Sequence, residues 1–163
     1  MCKGFCLLLG LLVLSCLPAW GGTGAAPKDF RGIPWGGTVP DTLIKSTTAG
    51  DGGKVEVFRN RAKEPTPFLG VPVAEEAYYF TRGKLTGGQL FYRGEDTFSR
   101  LKDSLVKLYG VPKNLNPEFY RWEWPDTQTV LTIAYNKKFK YTTLSMTSTP
   151  GLPPVSTLKK KAH

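Results

Sequence analysis

Thiols and imidazoles are almost missing from this 163-residue chain, and their absence excludes much chemistry. Its three cysteines, Cys2, Cys6 and Cys16, all lie near the N-terminus. Beyond residue 16 there is no disulfide framework, no thiolate zinc site and no cysteine nucleophile. The one histidine is His163, the last residue of a Lys-rich tail, where nothing fixes its tautomer for acid–base work. No serine stands in a G-x-S-x-G context. Glu75-Glu76 would point to opposite faces of a strand, so the pair reads as solvated carboxylates and not as an acid–base dyad. Asp51-Gly52-Gly53 lacks the D-x-D spacing of a calcium loop. The glycines at Gly36-Gly37, Gly50 to Gly53 and Gly87-Gly88 lack the Lys-Ser/Thr of a phosphate loop. No catalytic, cofactor-binding or metal-binding residue is assigned, and the expectation is a protein that is not an enzyme and carries no cofactor.

Long apolar runs are also scarce, with one exception. Lys3 precedes Phe5 to Leu17, a thirteen-residue apolar stretch too short to cross a bilayer comfortably, and small residues follow from Gly21 to Ala26. The pattern predicts an export signal over residues 1–25, cut before Ala26, with no transmembrane helix in the mature protein. The alternative is Val13-Leu14-Ser15-Cys16, which resembles a bacterial lipobox. In that reading the leader is 1–15, and a lipidated Cys16 holds the protein at a membrane surface. Residues 26–28 then read as a tether, 29–150 as one domain, and 151–163 as a disordered basic tail.

Acidic residues stop at Asp126. Beyond that point Lys137, Lys138, Lys140, Lys159, Lys160 and Lys161 concentrate most of the net charge of +9. For an exported protein the matching partners are anionic lipid, lipopolysaccharide or wall polymer, not nucleic acid.

One stretch has a full helical signature. Phe98, Leu101, Leu105 and Leu108 recur at spacings of three and four, with Val106 and Tyr109 widening the stripe. Asp96 is expected to cap the first turn, and Gly110 and Pro112 to end the helix. The remainder reads as strand or loop. Phe30, Ile33 and Trp35 form an extended leading segment that plugs one edge of the core, and Asp41 to Lys45 suits one helical turn. Strands are expected over Lys54 to Arg59, over a hairpin from Ala77 to Arg93 turning at Arg82-Gly83, and over Phe119 to Trp124. Two more follow over Thr129 to Tyr135 and Phe139 to Met146, joined at Asn136-Lys137-Lys138. Gly87-Gly88 suggests a bulge or a close backbone approach. The fold class is therefore α+β: a mostly antiparallel sheet of about six strands, ordered β-β-β-α-β-β-β, with one principal helix packed on one face.

The motif Phe30-Arg31-Gly32-Ile33-Pro34-Trp35-Gly36 resembles the start of small exported Gram-negative proteins that read F-R-G-I-x-W-G just after the leader. Leu105 to Pro112 matches their L-x-x-x-Y-G-x-P helix end. The resemblance implies this architecture and an envelope location, and it carries no catalytic residues. One helix cannot cover both faces of such a sheet. Tyr120, Trp122 and Trp124, which alternate onto one face, are thus a candidate aromatic binding face, with Arg82, Arg93 and Arg121 bordering the aromatic strands. The expected function is a non-catalytic protein-binding or inhibitor-like module. The alternatives are peripheral attachment to an anionic surface through the Lys-rich C-terminal part, or an enzyme with a site not recognised in the sequence.

Overall fold

The computed structural model describes residues 24–49, 54–61 and 64–148. Residues 1–23, with Cys16, and residues 149–163, with Lys159, Lys160 and Lys161, lie outside the described residues. The helix α1, Thr97–Tyr109, forms where the apolar spacing places it. Leu101 and Leu105 are wholly buried, with Phe98 and Val106 packed beside them. Leu108, however, is 50% exposed, and Val106 and Tyr109 carry the packed stripe through the last turn. The expected Asp96 cap is also absent. Asp96 already has helical dihedrals, and its carboxylate lies 3.7 Å from Arg100 instead of over the first N–H groups. The Thr97 hydroxyl donates back to the Arg93 carbonyl at 2.8 Å. Gly110 ends the helix at positive φ, as expected.

Among the described residues, ten strands in two sheets stand around the helix, not about six. A short hairpin pairs β1 (Asp29–Phe30) with β2 (Ile33–Pro34). The main sheet begins with a meander of β3 (Leu43–Ala49), β4 (Val55–Asn60), β5 (Glu75–Thr81) and β6 (Lys84–Arg93). After α1 comes a second meander: β7 (Lys113–Asn116), β8 (Phe119–Trp124), β9 (Thr129–Asn136) and β10 (Tyr141–Ser148). The order across the eight strands is β3-β4-β5-β6-β10-β9-β8-β7, and every neighbouring pair is antiparallel. The two meanders thus meet at their last strands, and α1 links the centre of the sheet to its far edge.

The two unexpected strands of the main sheet share one physical cause. β3 and β7 are the two edges, and apart from Leu43 their residues are exposed. An edge strand with nothing to bury shows no alternation for a sequence reading to detect. Residues 41–45 are accordingly not a helical turn, because Leu43 to Lys45 already belong to β3. The β5–β6 turn falls on Arg82-Gly83 as expected, both with positive φ, the backbone of a type I′ turn.

Residues paired directly across an antiparallel ladder point to the same side, so the register sorts the two faces. One row crosses six strands: Phe58, Tyr78, Gly88, Met146, Leu131 and Trp122. Gly88 leaves a notch in the middle of it, and the Phe30 ring fills the notch. A Cβ at residue 88 would stand 2.1 Å from that ring, the close approach that the glycine pair signals. The leading segment therefore lies across the sheet face and does not plug its edge. It shelters the centre of the face, and α1 packs over the second meander.

Arg31 pins this arm. Its Nε lies 3.1 Å from Glu76 Oε2, and one terminal nitrogen, Nη2, donates to both the Thr66 hydroxyl (2.6 Å) and the Thr66 carbonyl (2.8 Å). Only 3% of the Glu76 side chain is exposed. Glu75 and Glu76 do point to opposite faces, but Glu76 is a buried ion-pair partner and not a solvated carboxylate. Burial pushes the neighbouring Tyr78 hydroxyl up to about 12, with the Glu76 charge adding to the effect. A single carboxylate already neutralised by a guanidinium makes an anchor, not an acid–base pair.

Candidate binding face

The side of the sheet opposite α1 carries a different composition. Its rows are Val57, Tyr79, Gly87, Thr147 and Val130; then Ala77, Gln89, Ser145, Thr132 and Arg121; then Glu75, Phe91, Thr143, Ala134 and Phe119; and finally Arg93, Tyr141 and Asn136. Most of these side chains are half-buried against each other or exposed, and none belongs to the main core cluster. Among the described residues, no helix and no second sheet layer packs on this face. It is floored with small hydroxyl and amide groups and carries separate aromatic rings. Tyr79 donates its hydroxyl to Gln89 Oε1 at 2.8 Å, which holds that ring in place.

The rings draw together at the end of the two central strands. Phe91 and Tyr141 have centroids 6.4 Å apart, and Phe139 stacks on Tyr141 at 6.2 Å and 19°. They wall an open recess of about 550 Å³ together with Glu75, Arg93 and Lys140. Lys138 Nζ sits 5.3 Å over the Phe139 ring, a cation–π contact at the hairpin tip. Charges at this rim are mostly answered. Lys137 pairs with Glu118, Lys140 with Glu95 at 2.8 Å, and Arg59 with Glu75 at 3.9 Å. The Lys140 contact pulls the Glu95 carboxyl down, and the Glu95 and Glu118 contacts raise the two lysines. Among the described residues, no acidic group pairs with Arg93 or Lys138.

The three aromatics chosen from sequence occupy the other side. Tyr120, Trp122 and Trp124 do share a face, but it is the one packed under α1. Trp122 is 4% exposed and donates its indole N–H to the Gly110 carbonyl at 2.9 Å. Trp124 stands edge-on to Tyr109, and Tyr120 lies beside Phe98. They line the core and leave no open aromatic face. The same alternation puts Arg121 on the opposite side, and Arg93 joins Phe91 there. Of the lysines, Lys137, Lys138 and Lys140 come together at the β9–β10 turn.

Local sequence does not separate Tyr79, Phe91 and Tyr141 from the aromatic rings of the core. The signal that separates them is register: Tyr78 and Tyr92 pair with core positions, whereas Tyr79 and Phe91 stand one residue out of phase. Among the described residues, no three of His, Cys, Asp or Glu converge as metal ligands, and no helix is long and apolar enough to cross a membrane. No family model matches the chain, and neither does any curated protein or solved structure.

Proposed function

We propose that this is a non-catalytic binding module of the cell envelope, which presents the uncovered face of its eight-stranded sheet to a partner protein. One observation carries the reading: among the described residues, a sheet face with no layer over it bears Tyr79, Phe91 and Tyr141 beside an Arg93 with no acidic partner. Tyrosine and arginine are the side chains that concentrate binding energy at protein interfaces, since each combines a large contact surface with directional polar groups. A photo-crosslinking residue in place of Tyr141, in the full-length protein in its own host, tests it. One dominant protein adduct should form, disappear with Arg93→Glu, and fail to form from Ser99 on the exposed side of α1. A diffuse background from both positions would refute the reading.

The second reading is attachment to anionic lipid or wall polymer through Lys137, Lys138 and Lys140. Phe139, 64% exposed beside Lys138 at the hairpin tip, favours it. The ion pairs of Lys137 and Lys140 weigh against it, because they leave one unanswered lysine on the turn. Under that reading, sedimentation with anionic vesicles is lost when the three lysines become glutamates, and it weakens sharply with salt.

A further inference from the structure

Gly24 and Pro27, on either side of the expected cut before Ala26, are built into the fold. The Gly24 carbonyl accepts the Trp124 indole N–H at 2.7 Å, and the Gly24 N–H reaches the Tyr109 carbonyl at 3.3 Å. Three residues on, the Pro27 carbonyl accepts the Trp35 indole N–H at 2.7 Å. Both indoles are part-buried, so a lost acceptor leaves a donor poorly supplied with water. Residue 24 also has to be small: a Cβ there would stand 2.1 Å from the Leu108 carbonyl oxygen and 3.0 Å from the Tyr109 Cα. A glycine that backbone packing requires, held by hydrogen bonds at both its N–H and its carbonyl, is a structural residue and not spacer.

We propose that Gly24 is an integral part of the folded domain, so that the export cut falls before Gly24 and not before Ala26. A cut before Ala26 removes the acceptor of Trp124 and puts a charged amino group near the Tyr109–Trp124 ring pair. A cut between Ser15 and Cys16 keeps the whole contact. Gly24 itself packs at the C-terminal end of α1, on the helix-covered side of the sheet. The proposal rests on the export reading, and its test separates the two.

The intact mass of the mature protein, expressed from the full-length gene in a Gram-negative host, reads the first residue directly. The expected start is residue 24 or earlier, and a start at Ala25, Ala26 or later overturns the proposal. In the same full-length background, Gly24→Val should lower the melting temperature by at least about 5 °C, while Ala25→Val, at an exposed position, should change it by less than about 2 °C. Equal melting temperatures for the two variants would also overturn it. Retention of Met1 would refute export alone, and the melting comparison would still decide whether Gly24 belongs to the fold.

Discussion

The two sides of the central sheet are made from the same strands and have opposite characters. On the covered side, Tyr78, Leu90, Leu131, Ile133 and Leu144 are buried beneath α1 and the Phe30 arm. On the other side, Tyr79, Gln89, Thr132, Thr143 and Ser145 occupy the intervening positions, with no helix or second sheet layer over them among the described residues. Most of the buried core therefore lies on one face, and the other carries mainly half-buried or exposed side chains. An antiparallel sheet permits this division because alternate residues of one strand face different surroundings.

The largest effects are expected on the covered side, and they compare its two lids. Phe30→Ala should lower stability by about 4 kcal/mol and Leu105→Ala by about 3 kcal/mol, both from lost burial plus a cavity. Urea denaturation measures them. A loss below about 1 kcal/mol for Phe30→Ala would mean that the arm is not part of the core. Next comes the latch. Arg31→Met leaves Glu76 charged and buried, so it should lower stability by about 3 kcal/mol, while Arg31→Met with Glu76→Leu should recover much of that loss. Failure of the double variant to recover would show that the polar contacts to Thr66 carry the anchoring.

Alkaline pH acts on the same face. Burial pushes Tyr78 up to about 12 and raises Tyr92 as well, whereas an unfolded chain releases such protons near pH 10. The stability these groups contribute is whole below about pH 10 and is lost as pH rises toward 12. Denaturation midpoints between pH 8 and pH 12 should fall in that window, and Tyr92→Phe should flatten the fall. The smallest stability effects belong to the open face. Tyr141→Thr and Arg93→Glu should each stay within about 0.5 kcal/mol of the parent. A large loss from either would erase the contrast between the faces.

Part of this was readable from residue order alone. The helix, the Arg82-Gly83 hairpin and the phase of Tyr120, Trp122 and Trp124 all follow from local periodicity, and the structure agrees with each. Which side of the sheet those three rings faced was not readable, because alternation fixes relative phase and leaves the choice of side to tertiary packing. The edge strands hid for want of a buried side. The Phe30 arm hid because two-residue strands have no period, although Gly87-Gly88 already marked the place where something must approach closely. Arg31 with Glu76 was the hardest: its partners lie 45 residues apart, and only the path of the arm brings them together.

Hydroxyl-radical footprinting, performed on purified protein and then on intact cells, tests the division of the two faces most directly. In the purified protein, Phe91, Phe139 and Tyr141 should be modified readily while Phe30, Tyr78 and Trp122 are spared. In cells, Phe91 and Tyr141 should become protected with no change at the core rings. Equal modification of Phe91 and Tyr141 in both settings, or modification of Trp122 as fast as Tyr141, would contradict the account.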